Sequence, residues 1–141
     1  MKWLLLFLTL LVGCSCATNQ KVVVMVFPPH VFPMHPNKVG MIACSYNNVP
    51  FIILNPIINS RELEETVMYH EQVHVRQYEK DCRGLMKKTE VDTTLALGFE
   101  LQAYCLTDIW LQQKETAVYL DLREGFRWGF KERFGFPLKC L

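Results

Sequence analysis

Apolar and polar positions change rhythm once along this chain, near residue 60. Upstream, the apolar residues come in short runs separated by Pro and Asn. Lys21–Phe27 reads KVVVMVF, a β-branched run that predicts a strand. The stretch that follows, PPHVFPMHPNK, holds four prolines in eleven residues and predicts an irregular segment, because proline cannot donate to a strand ladder. Val39–Tyr46 and Val49–Asn55 are two more apolar runs. Asn47-Asn48 between them predicts a β-hairpin, since Asn tolerates positive φ. Downstream, apolar residues recur every three to four positions, which is helical spacing. A first helix is expected from Arg61 to Asp81, capped by Ser60 or by Asn59 with Glu62, and ending near Gly84. A second runs from about Glu90 to Gln113, with Thr89 or Asp92 near its start. A third covers Glu115 to Leu122 and extends toward Arg133 if Gly125 and Gly129 do not break it. Strands first and helices after give the α+β class.

The chain has 141 residues, half of them hydrophobic. That suits one domain with a packed core and argues against disorder. A net charge of +1 without any Lys/Arg block argues against a nucleic-acid partner. At the N-terminus, Lys2 precedes an apolar run from Trp3 to Val12, too short to span a bilayer as a helix. A basic start, a short apolar core and small residues behind it describe an export signal. Leu11-Val12-Gly13-Cys14 resembles a bacterial lipobox. That resemblance implies a signal over residues 1–13, lipid on Cys14, and a mature domain over residues 19–141 anchored to the cell envelope. The alternative is an ordinary signal cleaved after Ala17, leaving a secreted or periplasmic chain. Export permits disulfides among the six cysteines, and lipid on Cys14 would leave an odd number.

The sharpest chemical signal is His70-Glu71-Gln72-Val73-His74. On a helix, positions i and i+4 share a face, so the two imidazoles can grip one cation. Glu71 sits one step round, where it can take a proton from a water rather than bind the metal. Leu63, Val67, His70 and His74 share one stripe, so the histidines face inward. Two satisfied core histidines, or a metal held for stability alone, are the competing readings. Glu71 favours hydrolysis, because a structural site closes with four ligands and has no use for that carboxylate.

A third ligand is required. No His follows at the spacing of one common pattern, since Gln77 and Lys80 stand at its Gly and His positions. Glu100 is the best candidate. It lies on a second helix whose inward stripe is Ala96, Leu97, Glu100, Ala103, Tyr104, Thr107 and Leu111, and a Glu among apolar residues is rarely left unpaired. HEQVHVRQ followed by FELQAY resembles small gluzincin-like metallopeptidases of bacteria and phages, over about Val49 to Tyr104. The resemblance implies a minimal zincin-like fold, a short antiparallel sheet followed by three helices. It implies Zn2+ on His70, His74 and Glu100, Glu71 as base, a peptide or protein substrate, and Val49–Asn55 as the strand that binds it. Four residues after the ligand Glu, where better-known gluzincins carry an Asp that orients a histidine, this chain has Tyr104, with Asp108 a turn further on. Gln77 and Tyr78 are each placed to back a ligand imidazole, although helix surface and core are the plainer readings. Tyr104, Tyr119, Arg123 and Arg127 are candidates to stabilise the transition state. His30 and His35 read as loop residues. Phe126, Phe130 and Phe134 read as a helix face packed on the core rather than a membrane-resting tail. A non-catalytic metal-binding lipoprotein, or an interaction protein with a coincidental HExxH, are the functional alternatives.

Overall fold

A computed structural model describes residues 23–26 and 38–141. The expected export signal, Cys14, Cys16, His30, His35 and most of the proline-rich segment lie outside those residues. Within them the fold is α+β: a three-stranded sheet and four helices.

Strands β1 (Val24–Val26), β2 (Gly40–Cys44) and β3 (Pro50–Leu54) lie in the order β1-β3-β2. β2 and β3 form the expected hairpin, antiparallel, with Met41 opposite Ile53. β1 pairs with β3 in parallel, with Met25 opposite Ile53. The sheet is therefore mixed, not purely antiparallel, and β3 is its centre. A strand paired on both sides needs no polar alternation, and Ile52, Ile53 and Leu54 are all buried. The hairpin loop has three residues rather than two. Ser45 and Val49 close it by backbone hydrogen bonding (Ser45 N to Val49 O, 2.9 Å), and only Asn48 takes a positive φ, 62°.

Helix α1 (Arg61–Tyr78) starts at Ser60, whose hydroxyl accepts from Leu63 N. It stops three residues earlier than its periodicity suggests, because Asp81 leaves the helix to cap a separate helix, α2 (Cys82–Val91), accepting from Gly84 N. Asp92 ends α2 and caps α3 (Thr93–Gln113), accepting from Leu95 N. The described residues thus form four helices where three were expected. Two short-side-chain acids supply the extra boundaries by bonding backbone N–H groups that a continuous helix would use. α4 (Ala117–Phe134) begins two residues later than expected, after Glu115 with φ 54°. It runs unbroken through Gly125 and Gly129 to Gly135, whose φ of 78° suits a C-terminal cap. No helix among the described residues is long and apolar enough to cross a membrane.

α1 packs Val67, Val75 and Tyr78 against Ile42, Ile52 and Leu54 of the sheet. Ala103 of α3 is fully buried, and α3 lies against both α1 and α4. Phe130 is fully buried too, so the Phe stripe of α4 belongs to the core. Disulfides Cys44–Cys82 and Cys105–Cys140 tie β2 to α2 and α3 to the C-terminal tail.

Candidate metal centre

His70 and His74 sit one turn apart on the buried face of α1, with ring centroids 4.9 Å apart. Each ring has one nitrogen already in use. His74 Nδ1 lies 2.7 Å from Gln77 Oε1. The amide nitrogen of Gln77 donates to Phe99 O and to Gln102 Oε1, which turns the amide oxygen toward the imidazole. His74 Nδ1–H is therefore the donor, and Nε2 carries the lone pair. His70 Nδ1 lies 3.3 Å from Thr107 Oγ1, and that hydroxyl gives its only proton to Ala103 O at 2.8 Å. His70 Nδ1–H is then also a donor, and its Nε2 carries the lone pair as well.

Both free nitrogens aim at one atom. Glu100 Oε2, from α3, stands 3.7 Å from His70 Nε2 and 3.6 Å from His74 Nε2. It is buried and has no hydrogen-bond partner among the described residues. Those separations are too long for hydrogen bonds. They suit ligands sharing an ion, since ~2.0–2.1 Å bonds at tetrahedral angles put neighbouring ligand atoms roughly 3.4 Å apart. An unpaired carboxylate oxygen buried beside two imidazole lone pairs is costly without a cation. The three side chains form a group that can hold a metal ion. The other Glu100 oxygen is held at 3.1 Å by Arg133 Nη1 from α4, which leaves a single oxygen for the centre.

No protein-family model matches this chain, and neither curated proteins nor solved structures give a match.

Glu71 is 6 % exposed and borders a cleft of about 920 Å³ together with His70, His74, Glu100 and Tyr104. Burial pushes its carboxyl above the ordinary value, against the pull of His70 and His74. For Glu100 burial acts in the same upward sense, but His70, His74 and Arg133 outweigh it and hold the carboxyl well below the ordinary range. Burial would lower His74, yet Glu100, Glu71 and Gln77 together raise it. Tyr104 packs edge-on against His70 at 4.7 Å. Burial, aided by the charge on Glu100, raises its phenol and keeps it protonated, a donor at the cleft.

Other expected participants sit elsewhere. Asp108 does not reach the histidines: Arg123 and Arg127 each grip its carboxylate with two nitrogens. Tyr119 donates to Glu65. None of Arg123, Arg127 or Tyr119 borders the cleft, so Tyr104 alone of those four faces the centre. Gln77 is no mere surface residue, since it bridges His74 to α3. Tyr78 packs in the core, its hydroxyl on Thr89. Thr107, expected on the inward stripe, gains His70 as a partner that the sequence reading did not assign, and Arg133 was not expected at the site. The signal for both was available: each is a polar residue seven positions from a core-facing one, Thr107 from Glu100 and Arg133 from Phe126.

The strand bordering the cleft is β2, not β3. β3 has both edges occupied, so it cannot receive another chain. In β2, Val39 O and Ser45 N bond toward β3. By antiparallel alternation, Gly40 and Ile42 turn their N–H and C=O groups to the opposite edge, which no described residue pairs. Gly40 is required there: a Cβ would lie 2.6 Å from Val67 Cγ1 and 3.1 Å from Glu71 Cγ.

Proposed function

We propose that this chain is a zinc-dependent metallopeptidase of gluzincin-like type. The observation that carries the reading is Glu100 Oε2, buried and unpaired between two imidazoles whose other nitrogens are already engaged. His70, His74 and Glu100 would hold the ion. Two nitrogens and one carboxylate oxygen are a donor set that zinc accepts, and a three-residue set leaves a position for substrate or water. Zinc so held supplies Lewis acidity that polarises a carbonyl and brings the pKa of a water to about 7.

The chain's own residues do the rest. The free edge of β2 aligns an extended peptide through the outward backbone groups of Gly40 and Ile42. Glu71, raised by burial, takes a proton from the attacking water as its oxygen bonds to the carbonyl carbon. It passes that proton to the departing amine nitrogen as the C–N bond breaks. Tyr104, kept protonated, donates to the oxyanion. Gln77 and Thr107 hold the ligand imidazoles in one tautomer and orientation.

Two disulfides among the described residues suit an oxidising compartment, which supports export of the chain and, with the lipobox-like Leu11–Cys14, anchorage by lipid on Cys14. The test of catalysis is a peptide library incubated with the zinc-loaded mature chain and with its Glu71→Gln variant. The expected result is cleavage by the former, with kcat/KM lowered about 10²- to 10⁴-fold in the variant and zinc content unchanged. Equal zinc with no cleavage by either would leave a metal-binding lipoprotein without this activity.

A further inference from the structure

Gly135 ends α4, and the residues beyond it form neither helix nor strand. Among the described residues, no backbone–backbone hydrogen bond holds the chain after Gly135 N donates to Lys131 O. Side chains hold this tail instead. Cys140 is bonded to Cys105 of α3, and the Phe136 ring lies 5.4 Å from that of Phe130. Both attachments adjoin the candidate centre. Cys105 follows Tyr104, whose ring lies 4.7 Å from His70 and 5.0 Å from Phe130. Arg133, with Nη1 3.1 Å from Glu100 Oε1, stands in the last turn of α4, two residues before Gly135. Helix ends open easily unless something outside the helix secures them. Here the tail, folded back onto α3 and Phe130, secures the turn that carries Arg133.

The two disulfides also differ in access. Cys82 is fully buried in the core, with Cys44 packed against the same cluster. Cys105 and Cys140 are both partly exposed. An attacking thiolate can reach the second bond far more readily than the first. We infer that the C-terminal tail is a reducible latch on the metal centre, with Arg133 as the positioning residue through which it acts. The inference rests on His70, His74 and Glu100 being ligands, and adds a regulation to that reading. A dithiol reductant opens the latch. Its thiolate bonds to one sulfur as the Cys105–Cys140 bond breaks, and its second thiol resolves the mixed disulfide. Cys105 and Cys140 become thiols, having gained two electrons and two protons, and the reductant leaves as a disulfide. Phe136 is then no longer tethered against Phe130, and the last turn of α4 loosens. Arg133 loses its fixed reach to Glu100, and the carboxylate no longer presents one oriented oxygen. Loss of such an outer partner lowers metal affinity about 10- to 100-fold.

The experiment uses the full mature chain with Co2+ as the probe, because its visible bands report the number and arrangement of ligands. Affinity is read by competition with a chromophoric chelator, before and after mild treatment with a phosphine, which adds no thiol to compete for the ion. Alkylation and mass mapping identify the bond that opened. The latch predicts that Cys105–Cys140 opens before Cys44–Cys82. Cobalt binding should then weaken about tenfold or more, with altered bands, and reoxidation should restore both. The double variant Cys105→Ser, Cys140→Ser should bind as the reduced chain does and ignore the phosphine, which removes any part played by the freed thiols. Arg133→Met should show the same loss with the disulfide intact. Arg133→Lys should recover part of it, since a single nitrogen makes the contact with Glu100. Cobalt binding that is the same before and after opening, or an Arg133→Met chain that binds as the parent does, would overturn the latch and leave the metal centre standing. A parent that binds no cobalt in either state would contradict the metallopeptidase reading, and the latch with it.

Discussion

Two residues outside the His70, His74 and Glu100 group orient its imidazoles. Gln77 Oε1 accepts a hydrogen bond from Nδ1–H of His74 and Thr107 Oγ1 accepts one from Nδ1–H of His70, while Gln77 and Thr107 donate in turn to the backbone of α3 at Phe99 and Ala103. Each imidazole is thereby fixed in the tautomer that offers Nε2. Such supports tune metal affinity by about 10- to 100-fold. Gln77→Ala and Thr107→Val are expected to weaken zinc binding within that range, measured by competition with a chromophoric chelator, with the fold retained. Unchanged affinity in both would mean that the imidazoles orient without them. Gly40 acts at the same scale. It is the point where β2 approaches α1 closely, and a side chain there would push on Val67 and Glu71 together.

At the scale of elements, α3 and α4 are coupled through Asp108, which Arg123 and Arg127 grip from α4. Burial alone would raise this carboxyl, but the two guanidinium groups hold it below its ordinary value. A carboxyl depressed by folding contributes stability above its unfolded pKa, about 3.9, and loses it as pH falls through the folded value. Asp108→Asn should therefore cost about 2 kcal/mol at neutral pH. In thermal melts across pH, the gap between the proteins should be full above about pH 5 and close at lower pH. A gap independent of pH would show that charge plays no part.

How far these elements can be read from the sequence depends on how local their causes are. The HEQVH helix, its Ser60 cap, the β2–β3 hairpin and Glu100 on an apolar stripe all follow from spacing within one element. The break at Asp81 is also local, yet the apolar rhythm runs across it from α1 into α2, so periodicity hides it. The pairing of β1 with β3 is not local. Nothing in KVVVMVF says that it lies parallel to a strand beyond an intervening hairpin, so which strand has a free edge, and hence borders the cleft, is decided only in the folded chain. Asp108 illustrates the same limit: one turn beyond the position expected to orient a histidine, it is gripped instead by two arginines that α4 brings to it.

For the whole molecule, the centre is assembled from three helices and a strand edge, and each part is secured separately. α1 brings two imidazoles and Glu71, α3 the Glu100 carboxylate, α4 the arginine that holds one of its oxygens, and β2 the open edge. The disulfides close segments with separations of 38 and 35 residues. Each removes loop entropy from the unfolded chain worth about 4 kcal/mol. One joins β2 to α2 and the other ties α3 to the tail beyond α4. The three side chains at the centre can hold a metal ion. The most direct measurement is calorimetric zinc titration of the metal-free mature chain, beside Glu100→Ala and Asp108→Asn. The predicted result is one zinc per chain, retained by Asp108→Asn and weakened by at least about 100-fold in Glu100→Ala. Equal binding by Glu100→Ala, or no stoichiometric zinc in the parent, would contradict it.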